Sequence, residues 1–373
     1  MATMKLDTRP QVEDFVRGCA SMGTGGGGLP ENGIQSLMTE IESGNEVGWT
    51  DVSEIADDVM TACPFLMGSI APLTPELIAE MEDFGFTNPI NPQKEQLAKA
   101  LLKLGDFCGS KIGAVVPIEL GGANTPGGLA AGCSIGAVCV DGDYTGRAIP
   151  EIQQTTPYLH DKTLWPVASV DEYGDVCYIE SSVNYRIVER IGKKIAESAY
   201  GLVGQAGFLM PASEMKECVN AGTLSRCYEI GKMIREAREA GEDPVQSVID
   251  KLGGWVLGKG TVTGKETWDD GYYYGSHTIT GEQDTYKIFF KNENHVLWKN
   301  DEPFISSPDI ISVVDAATGE PIPNPLIAEG QEVCIVGLKA DPAFRNEKGI
   351  DILGPRYFKF DFDYVPIEER LAE

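Results

Sequence analysis

Residues 110–128 read SKIGAVVPIELGGANTPGG. A short apolar run, Ile112–Ile118, breaks at Glu119 and enters a turn built on Gly121, Gly122 and Asn124. Such a run, bounded by turn residues, suits a buried strand. The pattern recurs on both sides. Residues 59–72, VMTACPFLMGSIAP, reach Gly68-Ser69, and residues 74–85, TPELIAEMEDFG, then open with Thr74-Pro75-Glu76, a helix-start signature. Residues 135–151, IGAVCVDGDYTGRAIPE, carry the run Ala137–Val140 into Asp141-Gly142-Asp143. Strands alternating with helical stretches predict an α/β N-terminal domain with a mainly parallel sheet, over residues 1–168. Ligands of open α/β sheets sit beyond the carboxyl ends of the strands. The loops at Gly68-Ser69, 119–124 and 141–143 are therefore expected on one edge, and that edge is the predicted site.

The second half reads differently. VNYRIVERIGKKIAESAYGLVG (183–204) and TLSRCYEIGKMIREAREAG (223–241) carry helical amphipathic patterns, and from about Trp255 short strand-like pieces alternate with turn residues. A C-terminal domain over 169–373, helical and then β-rich α+β, is expected.

Upstream, GCASMGTGGGGLPENG (18–33) places four glycines, Gly25 to Gly28, between two helical patterns. Val12, Phe15, Val16, Cys19 and Met22 mark the first, and Ile34, Leu37, Met38 and Ile41 the second. Glycine is the costliest residue to order, so either the backbone bends where a Cβ would clash or another group comes very close. Free N–H groups in such a bend suit an oxyanion; a tight helix crossing without a ligand is the plainer alternative.

The formal charge of −27 over 373 residues argues against nucleic acid and anionic membranes as partners. No apolar run approaches the ~18 residues of a membrane span. The start, MATMKLDTRPQVEDF, lacks a secretory pattern. Nine scattered cysteines without a CxxC pair fit reduced thiols, so a cytoplasmic location is expected.

Three motif matches fail on context. Gly23, Gly25 and Gly28 spell G-x-G-x-x-G, but a helix precedes them where a dinucleotide site needs a strand. GGWVLGKG (253–260) puts Gly260 where a Walker A loop needs Ser or Thr. GCSIG (132–136) has helix before strand, the reverse of a nucleophile elbow, so Ser134 is expected to be structural.

The loop VDGDYTGRAIPE concentrates Asp141, Asp143, Arg147 and Glu151. Two carboxylates two residues apart hold a metal ion or activate water, and an arginine fork grips a carboxylate. An internal Arg–Asp pair in a charged turn is the plainer reading.

Taken together, VEDFVRGCASMGTGGGG, PIELGGANT, VDGDYTGRAIPE, NENHVLW, PDIISVVDAATGEPI and GPRYFKFDFDYVPIE resemble, in this order, the S-methyl thiohydantoin desulfurase family. The resemblance runs from Val12 to about Glu368 and implies two domains meeting near Pro166–Ile179. It implies a hydrolase that removes methanethiol from an S-methyl thiohydantoin, in catabolism of S-methylated ergothioneine. Its alternatives are a hydrolase of hydantoin or cyclic-imide amide bonds and a non-catalytic accessory subunit of a hydantoinase. On chemistry and position, Asp141 and Asp143 are expected to activate water or hold a divalent metal, zinc first, with His160 as a third ligand. Glu151 would relay a proton and Arg147 bind the carboxylate of a small anionic heterocycle. Gly25, Gly26, Gly27, Gly28, Glu119 and Asn124 would line the pocket, with Asn292, Glu293 and Asn294 contributed by the second domain. A hydantoinase-type partner and a homo-oligomer stay open.

Overall fold

The computed structural model describes residues 2–68, 73–90 and 93–372; Ser69 lies outside them. Helix α1 (Arg9–Met22) begins behind Thr8, whose amide donates to the Gln11 carboxamide (3.0 Å), with Pro10 in the first turn. It buries the stripe its spacing predicts, Val12, Phe15, Val16, Cys19 and Met22. Helix α2 (Pro30–Glu42) follows the glycine bend. Next come β1 (Met60–Gly68), α3 (Pro75–Asp83), α4 (Gln93–Cys108), β2 (Ala114–Val115), α5 (Asn124–Ser134) and β3 (Val138–Cys139).

These strands join β4 (Val167–Val170), β5 (Val176–Ile179) and β6 (Leu202–Pro211) in a six-stranded sheet of order β3-β2-β1-β6-β4-β5. The three strands β1, β2 and β3 run parallel, as read from the sequence. The other three pairings are antiparallel, so the sheet is mixed. Helix α6 (Tyr185–Ser198) covers one face, packing Val188 and Ala196 with Phe65 and Met67; α4 covers the other, packing Leu97, Leu101 and Leu104 with Ala62. Strand β6 sits inside the sheet although its opening, LVG, reads as the tail of the preceding helix. The helix stops because Tyr200 takes a left-handed φ of +58°.

Helix α7 (Thr223–Ala240) crosses α1 at two glycines: a Cβ on Gly18 would lie 1.7 Å from the Cys227 carbonyl oxygen, and one on Gly231 equally close to that of Asp14. After α8 (Pro244–Leu252) come β7 (Trp255–Asp269), β8 (Tyr273–Thr280), β9 (Thr285–Lys291), β10 (Glu293–Lys299), β11 (Glu302–Ser306), β12 (Ile310–Asp315) and β13 (Glu332–Leu338). They form an antiparallel sheet of order β11-β10-β9-β8-β7-β13-β12, the expected β-rich region. Its β9–β10 turn points at the glycine bend.

Candidate functional site

The glycines are explained by what crowds them. Past α1 the chain runs through Thr24 (φ +50°), Gly25 (+84°), Gly27 (+72°) and Gly28 (+83°), conformations that glycine adopts with little strain. Gly26 has no such φ, yet a Cβ there would fall 2.0 Å from Glu293 Oε1. A Cβ on Gly25 would lie 2.6 Å from Asn324 Nδ2, and one on Gly27 2.4 Å from Gly121 Cα. The bend thus brings the β9–β10 turn, Asn324 and the loop after β2 to one point. Its carbonyls hold them there: Thr24 accepts from the Asn294 amide (2.7 Å), Gly25 from Asn324 (2.8 Å), and Gly27 from Ala123 (2.9 Å) and Asn124 (3.1 Å). The Gly27 amide bonds the Glu293 carboxylate. The group held in this cradle is the chain's own carboxyl.

Two buried carboxylates share the centre. Glu119 accepts from Asn124 Nδ2 (2.5 Å) and from the Ile149 amide (2.8 Å). Burial pushes its pKa up to about 7, against the pull of those donors and of Arg147. Glu293, at the start of β10, is raised well above the carboxylate range by burial and then by the charge of Glu119. Its Oε2 is buried with no hydrogen-bond partner. Ion-dipole demand is rarely left unmet inside a protein, so this oxygen marks a place for a proton or a guest.

Arg147 is corrected by its surroundings. Its fully buried guanidinium spends all five N–H groups: on the carbonyls of Ala148 (3.0 Å), Pro308 (3.0 Å), Asp309 (3.2 Å) and Asn294 (2.9 Å), and on Thr24 Oγ1 (3.1 Å). It ties the two halves together and has no fork left for a substrate carboxylate. Asp141 accepts from the Ser225 amide (3.0 Å) and hydroxyl (2.6 Å), holding the first turn of α7. Asp143 Oδ2 closes a turn by accepting from the amides of Thr145 (2.8 Å) and Gly146 (2.7 Å), and burial pushes its pKa up to about 7. His160 is exposed after the one-turn helix Thr156–Leu159. These three do not fit a shared zinc or other divalent ion: Asp141 is bound to the start of α7, Asp143 is buried with its Oδ2 in a turn and its Oδ1 without a hydrogen-bond partner, and the histidine stands at the surface. Among the described residues no three His, Cys, Asp or Glu side chains converge as a metal site. The glycine bend accordingly faces Glu119 and Glu293, not the aspartates after Val140.

Asn292 and Asn294 shape the turn. Asn292 (φ +57°) exchanges hydrogen bonds with the Tyr273 backbone, and Asn294 Nδ2 donates to the Ile311 carbonyl (2.9 Å). Glu151 accepts from the Lys291 ammonium and the Tyr357 hydroxyl. Lys291 also lies 3.9 Å from the centre of the Tyr272 ring, whose hydroxyl donates to Glu189 Oε1 (3.2 Å). Glu189 Oε2 accepts from the Ile152 amide (3.0 Å), which closes the network beside Glu151. Behind the bend, Asn324 Nδ2 donates to the Asn292 carbonyl (2.8 Å) and its Oδ1 pairs with His277 Nε2 (3.2 Å). Burial lowers the pKa of His277 to about 4, so its ring is neutral at physiological pH.

Lys291, Tyr357, Tyr272, Glu189 and Asn324 were not singled out by sequence reasoning. Lys291 adjoins the quoted NENH block and Tyr357 lies inside GPRYF, but no spacing brings positions 151, 291 and 357 together.

Comparison with known families matches residues 10–181 to the description S-Me-THD-like, N-terminal domain, and residues 183–367 to S-Me-THD-like, C-terminal domain. No curated protein matches the chain. Among solved structures, an X-ray crystal structure of a protein from Chromobacterium violaceum superposes with a TM-score of 0.78 over 98% of this chain and 100% of that one. At 19% identity this likeness shows the fold.

Proposed function

The chain belongs to the S-Me-THD-like family, that of S-methyl thiohydantoin desulfurase, and from this premise we propose that it hydrolyses an S-methyl thiohydantoin-type ring, releasing methanethiol, with Glu119 and Glu293 as its proton-transfer pair. The observation that carries this reading is the unpartnered, buried Oε2 of Glu293 beside a second carboxylate pushed up to about 7. Two coupled carboxylates whose environments favour shared protonation supply an acid and a base at neutral pH.

In this mechanism Glu119, ionised, takes a proton from water as the oxygen attacks the ring carbon that bears sulfur. The tetrahedral adduct collapses with cleavage of the carbon–sulfur bond. Glu293, protonated, delivers its proton to the departing thiolate sulfur. The ring keeps the water oxygen as a carbonyl, the second water proton passes from that oxygen to the adjacent ring nitrogen, and the pair resets by passing the proton from Glu119 back to Glu293. Thiols ionise near pH 8.5 in the Cys reference case, so sulfur leaves more readily than an amine and water activation is the demanding step. Asn124 orients Glu119 through its 2.5 Å hydrogen bond. Lys193 feels the charges of Glu293, Glu151 and Lys291 together, which puts the Glu151–Lys291–Tyr357 network near the same centre.

Free-thiol detection against S-methyl thiohydantoins tests this. Wild-type protein is expected to release thiol, and Glu293→Gln to lose at least about 10²-fold in kcat/KM. Ring opening of hydantoins without thiol release, or near-normal turnover by Glu293→Gln, overturns the assignment.

A further inference from the structure

Of the sixteen large hydrophobic side chains exposed among the described residues, thirteen lie between positions 73 and 191, on the first sheet and its helices. Two helices carry the most informative of them. Helix α3 has nine residues and buries only Met81, while Leu77, Ile78 and the following Phe84 are exposed. A helix this short is not stable on its own propensity and depends on packing of its apolar side. Beside it lies α6: Tyr200, just past the end of α6, donates to Glu80 Oε1 (2.7 Å) and stacks edge-on against Phe86. Helix α6 buries Val188, Gly192 and Ala196 inward and shows Ile187 and Ile191 outward, with Val183 83% exposed just before it.

The charges divide between the same two helices. Around Leu77 and Ile78, α3 carries Glu76, Glu80, Glu82 and Asp83 and no basic residue. Around Ile187 and Ile191, α6 carries Arg186, Arg190 and Lys194. Among the described residues no ion pair occupies Glu76, Glu82, Arg186 or Arg190. Tyr200 thus joins the end of α6 to the acidic apolar strip of α3. Within the two strips Glu80 bonds Tyr200 and Lys194 pairs with Glu197, which leaves Glu76 and Glu82 on the acidic side and Arg186 and Arg190 on the basic side without ion pairs. Such a surface is complementary to itself when turned through a two-fold axis.

We propose that this face is a homodimer interface in which α3 of one copy packs on α6 of the second, and the second contact repeats the first by symmetry. A second copy carries both matching strips by construction, whereas an unrelated partner would have to supply them independently. The contact would also brace α6, whose inner face holds Glu189 against Tyr272. The proposal stands apart from the reaction chemistry.

Sedimentation velocity on the purified full chain at tens of micromolar tests it. Wild type is expected at twice the chain mass and Ile187→Glu/Ile191→Glu at the monomer mass, with far-UV dichroism unchanged to show that the variant folds. Arg190→Glu/Lys194→Glu should weaken dimerisation at least about tenfold, and adding Glu76→Lys/Glu82→Lys to that variant should restore it. A monomeric wild type overturns the proposal, whatever other proteins it binds. So does an assembly that survives Ile187→Glu/Ile191→Glu, or a charge reversal that fails to restore the dimer.

Discussion

Glu119 and Arg147 are two buried residues whose surroundings differ sharply. Arg147 looked like a ligand clamp because its fork suits carboxylates, yet burial among five acceptors makes it a strut. Glu119, expected to line the pocket, is held by burial at a pKa of about 7, the range that the proposed general base requires. The sign of the pH effect follows. Glu119 accepts a proton only when ionised, so kcat/KM should rise as pH climbs through about 7, and Glu119→Gln should abolish that limb along with most of the rate. A pH–rate profile of thiol release measures both; an unchanged limb in Glu119→Gln would assign the titration to another group. Identity at these positions is written in the sequence, but desolvation, which sets the proton affinity, depends on neighbours far along the chain.

The glycine bend is the element on which the site depends, and its glycines are not equivalent to others in the chain. Gly27→Ala would set a methyl group 2.4 Å from Gly121 Cα at a φ of +72°. It should cost more than about 2 kcal/mol and depress turnover by displacing Glu293. Gly44→Ala, at φ +81° with nothing within 4 Å, carries the backbone strain alone and should cost about 1 kcal/mol with activity intact. Urea unfolding and thiol release on both variants separate crowding from strain; equal costs would mean that the close approach matters little. Helix boundaries around the bend were legible because Pro30 and the stripes at 12–22 and 34–41 announce them. Strand β6 was not, since its opening residues continue the apolar phase of α6 and only the left-handed turn at Tyr200 separates the two.

For the molecule as a whole, a net charge of −27 means that the folded state works against its own repulsion. Salt shortens the Debye length, so the thermal midpoint should climb as sodium chloride is raised from low to physiological concentration. A midpoint that falls would show that surface ion pairs outweigh the repulsion. The sequence by itself determined the parallel β1–β2–β3 core, the glycine bend between two helices, the β-rich second half and the family. It did so because turn chemistry and apolar periodicity are local properties of the chain. It also offered Glu119, Asn124 and Glu293 as candidate pocket residues beside the glycine bend. Only the tertiary structure decided which charged groups are free. The commitment of Asp141 to Ser225, the five bonds of Arg147 and the meeting of Glu151 with Lys291 and Tyr357 join positions up to 206 residues apart. Hydrogen-bond partnership and desolvation are fixed by packing, and packing is where two residues distant in the chain first have a distance between them.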